Sequence, residues 1–220
     1  MVRTRQQIAA EETQRAIIEA AARLFIEHGY HATSIGRIAS EAGVAVQTIY
    51  NSIGSKRELL SRVLDHAAAG RRAPAAVAQF MAEQAERETA PRVIISQLVE
   101  FWREALPRTA PVFRVIREAA AGDPEASALE HTRAKQRLRN YEHAARLLAE
   151  RGGLRAGMTM DQAAATIFAV GHPETYRTLV LDGDWSEDRW ARWAQTALEA
   201  ALIPAQTDPP GADTTVPPPG

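Results

Sequence analysis

Six histidines (His28, His31, His66, His131, His143 and His172), 27 acidic residues and no cysteine are the chain's stock of potential ligands and proton carriers. Without cysteine there is no disulfide, no thiolate zinc site and no thiol nucleophile. The histidines form no His-Glu-x-x-His helix, and neither a glycine-rich phosphate loop nor a nucleophile elbow occurs. The carboxylates do not stand as a pair in an apolar segment, where general acid–base chemistry would raise one of them. Neither catalysis nor a metal nor another cofactor is expected. A different chemistry is legible in Val46-Gln47-Thr48 and Tyr50-Asn51, with Lys56 a little further on. Gln and Asn can bond adenine with two hydrogen bonds, and Thr and Val can touch a thymine methyl. Tyr and Lys suit phosphate oxygens.

These residues need a helix to present them. Around them the apolar residues keep a helical period in short pieces. Ile17, Ile18, Ala21, Leu24 and Phe25 share one face of a first helix over about Thr13 to His28, stopped by Gly29. Thr33 or Ser34 can cap a second helix carrying Ile35, Ile38, Ala39 and Ala42, which Gly43 ends. A third spans Ala45 to Ile53, with Val44, Ile49 and Ile53 turned inward. Ser55-Lys56-Arg57-Glu58 is a capping box that opens a fourth helix running to about Gly70. Two short helices joined by a tight glycine turn, over 34–53, make a helix-turn-helix. Its second helix can enter the major groove with Val46, Gln47, Thr48, Tyr50 and Asn51 outward.

Longer helices are predicted over Pro74 to Arg87, Pro91 to Leu106, Ala110 to Ala121, Pro124 to Arg151, Met160 to Leu181 and Ser186 to Leu202. Alanine, the best helix former, occurs 43 times, and aromatics are only 6% of the 220 residues, so the fold class is all-α. Half of the 12 prolines lie beyond Ile203. The segment 204–220 has little to bury and reads as a disordered tail. No apolar run reaches the length of a membrane span, and the first residues lack the apolar stretch of a secretory signal. A cytoplasmic location is expected. The net charge of -1 excludes adhesion to nucleic acid through bulk positive charge, so contacts must come from placed side chains.

The ordered set Leu24-Phe25 … Gly29-Tyr30 … Thr33-Ser34-Ile35 … Ile38-Ala39 … Ala42-Gly43-Val44 … Thr48-Ile49-Tyr50 … Gly54-Ser55-Lys56 … Leu59-Leu60 resembles the DNA-binding domain of the TetR family of bacterial transcriptional regulators. The resemblance covers about Thr13 to Leu64. It implies a homodimer, with a helix-turn-helix domain over 13–66 in each subunit. A helical ligand-binding and dimerisation domain over 67–203 follows, and 1–12 would be a flexible arm. The partners implied are a palindromic double-stranded DNA operator and a small-molecule effector that releases it. On this resemblance Thr33, Thr48, Tyr50 and Lys56 hold phosphates, Val46, Gln47 and Asn51 face bases, and Ser34 joins the contact set. Four positions depart from the family pattern. Ala45 stands where a capping Ser is usual, a loss of about 0.5–2 kcal/mol. Gln47 replaces a small residue, and Ser52-Ile53 replaces an aromatic pair.

For the second domain the large side chains of the middle helices, Phe80 and Met81 among them, offer core or cavity wall. Candidate cavity residues are Phe101, Trp102, Phe113, Arg117, Tyr141, His143, Phe168, His172 and Tyr176. The last helix carries Trp190, Trp193, Ala194, Ala197, Leu198 and Ala201 in one stripe, which with Phe168 and Leu179 is the expected dimer interface. Glu100 with Arg103, and Arg114 with Glu118, are expected as solvated helix pairs. The alternatives to a ligand-released repressor are an activator, a ligand-independent regulator, or a protein-interaction module that has lost DNA binding.

Overall fold

The first helix, α1 (Arg5–His28), begins at Thr4 with a capping box. The Thr4 Oγ1 accepts from Gln7 N at 3.3 Å, and Gln7 Oε1 accepts from Thr4 N at 2.9 Å. In this computed structural model, which describes residues 4–69 and 90–204, the helix starts well before the expected Thr13. Residues 5–12 are therefore helix rather than a flexible arm. Gln, Ala and Glu carry this stretch on propensity and cap alone. Its side chains are exposed, so no apolar period marks it. Arg3, the helix predicted over Pro74 to Arg87 with Phe80 and Met81, and the tail from 205 onward lie outside the described residues.

Then come α2 (Ile35–Glu41), capped by Ser34, and α3 (Val46–Ser52). Gly43 joins them at φ 68°, with Val44 N bonded to Ala39 O at 3.0 Å, the left-handed stop that glycine takes without strain. In α4 (Lys56–Ala69) the Ser55–Glu58 box is present: Ser55 N donates to Glu58 Oε2 at 2.7 Å and Glu58 N to Ser55 Oγ at 3.2 Å. Ile17, Leu24, Phe25, Ile38, Ile49, Leu59 and Leu60 close one apolar core among these helices. The core does not stop at residue 66. It includes Val115, Ile116, Ala126 and Leu129 from the two helices that follow.

Those two are α5 (Pro91–Ala120) and α6 (Pro124–Glu150). Two helices were expected over the span of α5, broken near Pro107. One continuous helix is found, with Pro107 and Pro111 inside it. A proline in a helix interior costs about 3 kcal/mol. Burial on both sides offsets this. Ile94 to Ala110 lie in a second core, while Val112 to Ala119 lie in the first. Side chains take up carbonyls near the break, with Thr109 Oγ1 donating to Ala105 O at 2.9 Å and Arg108 to Glu104 O.

The single helix expected over Met160 to Leu181 is split into α7 (Met160–Val170), α8 (Pro173–Tyr176) and a π-helical turn over Arg177–Leu181. Pro173 disfavours helix at His172, and Gly171 lies against Trp102. The last helix, expected over Ser186 to Leu202, is α9 (Glu187–Leu202), with Ser186 as its cap. Its Trp190, Ala194 and Leu198 have 0% exposure and fill the second core of their own subunit. They are removed from the expected dimer interface, because the stripe closes on α5, α7 and the π-turn instead. All described elements are helical, and none of these helices is long and apolar enough to cross a membrane.

A Cβ added at Gly171 would lie 2.2 Å from Trp102 Cζ2. Gly171→Ala is expected to cost about 1–3 kcal/mol through overpacking. A thermal melt at neutral pH checks this, and an unchanged midpoint would show that the Trp102 ring yields freely.

Candidate functional site

The helix-turn-helix presents the expected outward set. Val46, Gln47, Tyr50 and Asn51 are exposed on α3, Thr48 is half-buried, and Ile49 is the buried anchor. Gln47 Nε2 donates to Asn51 Oδ1 at 2.9 Å, so the two amides share one orientation. Ala45 makes no side-chain cap, as its methyl dictates. The end of α3 is held from outside: Gln14 Nε2 donates to Ser52 O at 3.0 Å. Ser34 is exposed, and its Oγ accepts from Arg37 N at 3.1 Å.

Two expected phosphate contacts are placed differently. Thr33 is buried at 0% exposure, and its hydroxyl faces Leu24 O at 3.1 Å and Gly29 O at 2.8 Å. It ties the end of α1 to the start of α2 and does not face DNA. Lys56 is half-buried with its ammonium 4.1 Å from the centroid of Tyr30. Burial lowers its pKa, and Asp123 opposes that shift. Arg37, which sequence reasoning passed over, is exposed on α2 beside Ser34, its Nη2 2.7 Å from His28 Nε2. A lone cation on a short helix gave no periodic signal.

Behind this domain lies a cavity of about 390 Å³. Of the candidates, Phe101, Trp102, Phe113 and Tyr141 line it. The others do not. His143 is exposed, with Nδ1 2.8 Å from Arg139 O. Tyr176 is buried against Trp190, with its hydroxyl 3.3 Å from Glu187 Oε1, and burial with that carboxylate pushes its pKa up to about 12. Phe168 packs on Tyr141 and His172. Arg117 and His172 border an adjoining recess of about 20 Å³. Sequence reasoning missed Leu64, Asp65 and Ala68 of α4 and Arg133, Gln136, Arg137 and Asn140 of α6, all of which line the cavity. The polar α6 residues recur at three- and four-residue steps, a pattern that also describes a solvated helix face.

The solvated pairs are present: Glu100 with Arg103 at 2.7 Å and Arg114 with Glu118 at 3.3 Å. His172 caps α8, its Nδ1 accepting from Glu174 N at 3.1 Å. Burial, then Arg137 and Arg117, push its pKa down to about 4 against the pull of Glu174.

Every described element is helical, and the exposed polar helix α3 stands on a helix-turn-helix, an arrangement that suits the major groove of DNA. Residues 17–63 match the bacterial regulatory proteins of the tetR family. A transcriptional regulator from Saccharomonospora viridis in complex with choline is 21% identical, over 89% of this chain and 100% of its own, with a TM-score of 0.67. NalD, the secondary repressor of the MexAB-OprM multidrug efflux pump in Pseudomonas aeruginosa, is 20% identical over 88% and 98%, at 0.66. SmeT in its triclosan complex is 20% identical over 94% and 99%, at 0.65. At these identities the likeness is one of fold. No curated protein matches the chain. Residues 17–63 are thus a tetR-type DNA-binding domain, and the chain shares the fold of solved TetR-family regulators.

Thr33→Val keeps the volume and removes the hydroxyl from the α1–α2 junction. It is expected to destabilise by about 1–3 kcal/mol in urea unfolding, with the salt dependence of DNA binding unchanged. A flattened salt slope at native stability would return Thr33 to the DNA face. The low pKa of His172 means that the unfolded chain binds more protons between about pH 6.5 and about pH 4. Stability contributed by neutral His172 is present above that window and lost as pH falls through it. His172→Asn, which can still cap α8, is expected to lose less stability than the native chain between pH 7 and pH 5. Equal losses in denaturant midpoints would show that His172 titrates normally.

Proposed function

We propose that the protein is a cytoplasmic homodimeric repressor, bound to a palindromic operator and released from it when a small molecule enters the cavity. The observation that carries this reading is the double service of α4. Its Leu59, Leu60 and Val63 build the core under the reading helix, while Leu64, Asp65, Ala68 and Ala69 form cavity wall. An occupant that shifts α4 therefore acts on the base of the helix-turn-helix. Side chains of α5 and α6 fasten this helix. Arg133 holds Asp65 Oδ1 and Ser61 Oγ, each at 2.7 Å, and Arg108 Nε donates to Ala67 O at 3.0 Å. The ligand complexes among the structural neighbours, with choline and with triclosan, support a ligand-binding role.

On the DNA face, Val46, Gln47 and Asn51 address bases, while Ser34, Thr48 and Tyr50 contact the backbone. Lys56 lies behind them at the start of α4. For the dimer, the stripe adjacent to the buried one remains available. Trp193, Ala197 and Ala201 stand at four-residue steps on α9 and are half-buried, as are Leu179 and Phe168, and Ala165 and Ala169 of α7 are exposed. Two small-residue helices from each subunit can close as a four-helix interface.

Mobility shifts of the full chain on DNA flanking its own and neighbouring genes test the reading. Retention by one such fragment at low salt is expected, and failure on all of them would overturn it. Raised transcription from the bound promoter would replace repressor by activator. Gln47→Ala is expected to alter base preference at one position of each half-site, by about 1–3 kcal/mol. An unchanged preference matrix would remove Gln47 from the reading set.

A further inference from the structure

Arg137 of α6 stands in the cavity wall, and no carboxylate among the described residues lies at ion-pair distance from it. Its guanidinium carbon lies 4.3 Å from the ring centroid of Phe113 and 5.4 Å from that of Phe168. Nε and Nη1 are buried and have no hydrogen-bond partner among the described residues. The arginines around it are differently placed. Arg133 holds Asp65 at 2.7 Å, Arg117 reaches Glu130 at 3.5 Å and Glu174 at 3.4 Å, and Arg177 holds Glu174 and Asp182. Arg137 meets none of these carboxylates at ion-pair distance. A guanidinium cannot escape by losing its proton, and buried N–H groups without acceptors are costly.

Its nearest polar neighbour makes the deficit larger. His172 Nε2 lies 3.3 Å from Arg137 Nη2, while His172 Nδ1 faces the Glu174 N–H at 3.1 Å. A neutral imidazole has one donor and one acceptor nitrogen. Whichever nitrogen carries the proton, one of the two facing donors is left without an acceptor. With Nδ1 serving as the α8 cap, the ring proton sits on Nε2 and points toward Arg137. Donors converge here, and what they lack is an acceptor, best supplied by an anion.

The remaining wall sets the body of the molecule. Phe101, Trp102, Leu106, Phe113 and Tyr141 are apolar or aromatic. The volume of about 390 Å³ is at the small end for ligand sites. We infer that the effector is a small apolar monocarboxylate, its aromatic or aliphatic body against Trp102, Phe101 and Leu106 and its carboxylate on Arg137. One unpaired cation calls for one negative charge. This assignment rests on the reading of the cavity as the effector site.

Calorimetry on the full-length protein tests it with benzoate, phenylacetate and octanoate against their primary amides, and with octylammonium. At least one acid is expected to bind about tenfold or more tightly than its amide, with the ammonium weakest. In Arg137→Met the acid is expected to fall to the level of the amide, while amide binding persists. Should that variant not fold, Arg137→Lys keeps the charge, and part of the acid preference is expected to remain. Amides equal to acids, a stronger ammonium, no binding by any probe, or an acid preference that survives Arg137→Met would each overturn the assignment. Mobility shifts with the same compounds separate it from the repressor reading. An acid that binds without freeing DNA leaves the ligand class standing and removes ligand release. Release by acid and amide alike does the reverse.

Discussion

Everything in this protein leans on one helix. The thirty residues of α5 serve two cores in succession: Ile94, Leu98, Trp102 and Leu106 pack in one, and Val112, Val115 and Ile116 in the other. Pro107 and Pro111 lie where the helix changes from one core to the next. There the backbone gives up hydrogen bonds that a helix interior normally keeps. The flanking apolar burial outweighs that loss, at about 25 cal/mol per Å² removed from water. The helix thus remains one rod, and α1, α4, α6 and α9 take their places against it. A break at Pro107 would leave α6, with Ala126 and Leu129 in the first core and Tyr141 and Leu148 in the second, as the helix that still joins the two.

The reading surface is a consequence of buried chemistry rather than of charge. Thr33 spends its hydroxyl on Leu24 O and Gly29 O, and Ile49 is buried beneath α3. With both anchored, the outward direction of Gln47, Tyr50 and Asn51 follows from helical geometry alone. The near-zero net charge is compatible with this, since a few placed donors and cations suffice for register on DNA.

Local rules made much of this legible. Ser34 and Ser55 cap the helices they were expected to cap, and the inward role of Ile49 follows from its period. Where a feature depends on distant residues, the sequence pattern is silent or misleads. The start of α1 was missed although Thr4 and Gln7 spell a capping box, because no apolar period follows until Ile17. The prolines of α5 read as punctuation because burial on both sides cannot be seen locally. The stripe on α9 was correctly found as apolar, but nothing in its spacing says whether a neighbouring helix or a second subunit covers it. Cavity candidates taken for size included Phe101, Trp102, Phe113 and Tyr141, which line it, while His143, taken for polarity, is exposed. Arg137 was invisible for the opposite reason. Among many arginines in helical sequence, it is the burial of Nε and Nη1 without an acceptor among the described residues that sets it apart.

That absence also bears on how a ligand could act at a distance. A ligand shifts a conformational equilibrium only by its difference in affinity between the states. Arg133 and Arg137 stand one turn apart on α6, on the same face. The first clamps Asp65 and Ser61 of α4, and the second holds its unsatisfied donors at the cavity wall. On the proposed ligand reading, an anion on Arg137 would offset a like charge beside Arg133 and draw this turn of α6 toward the occupant. Both changes reach α4 through one salt bridge, and α4 carries Leu59, Leu60 and Val63 in the core beneath α3. The path from cavity to reading helix is therefore two side chains and one helix long. Its first member is the cation whose Nε and Nη1 are buried with no acceptor among the described residues.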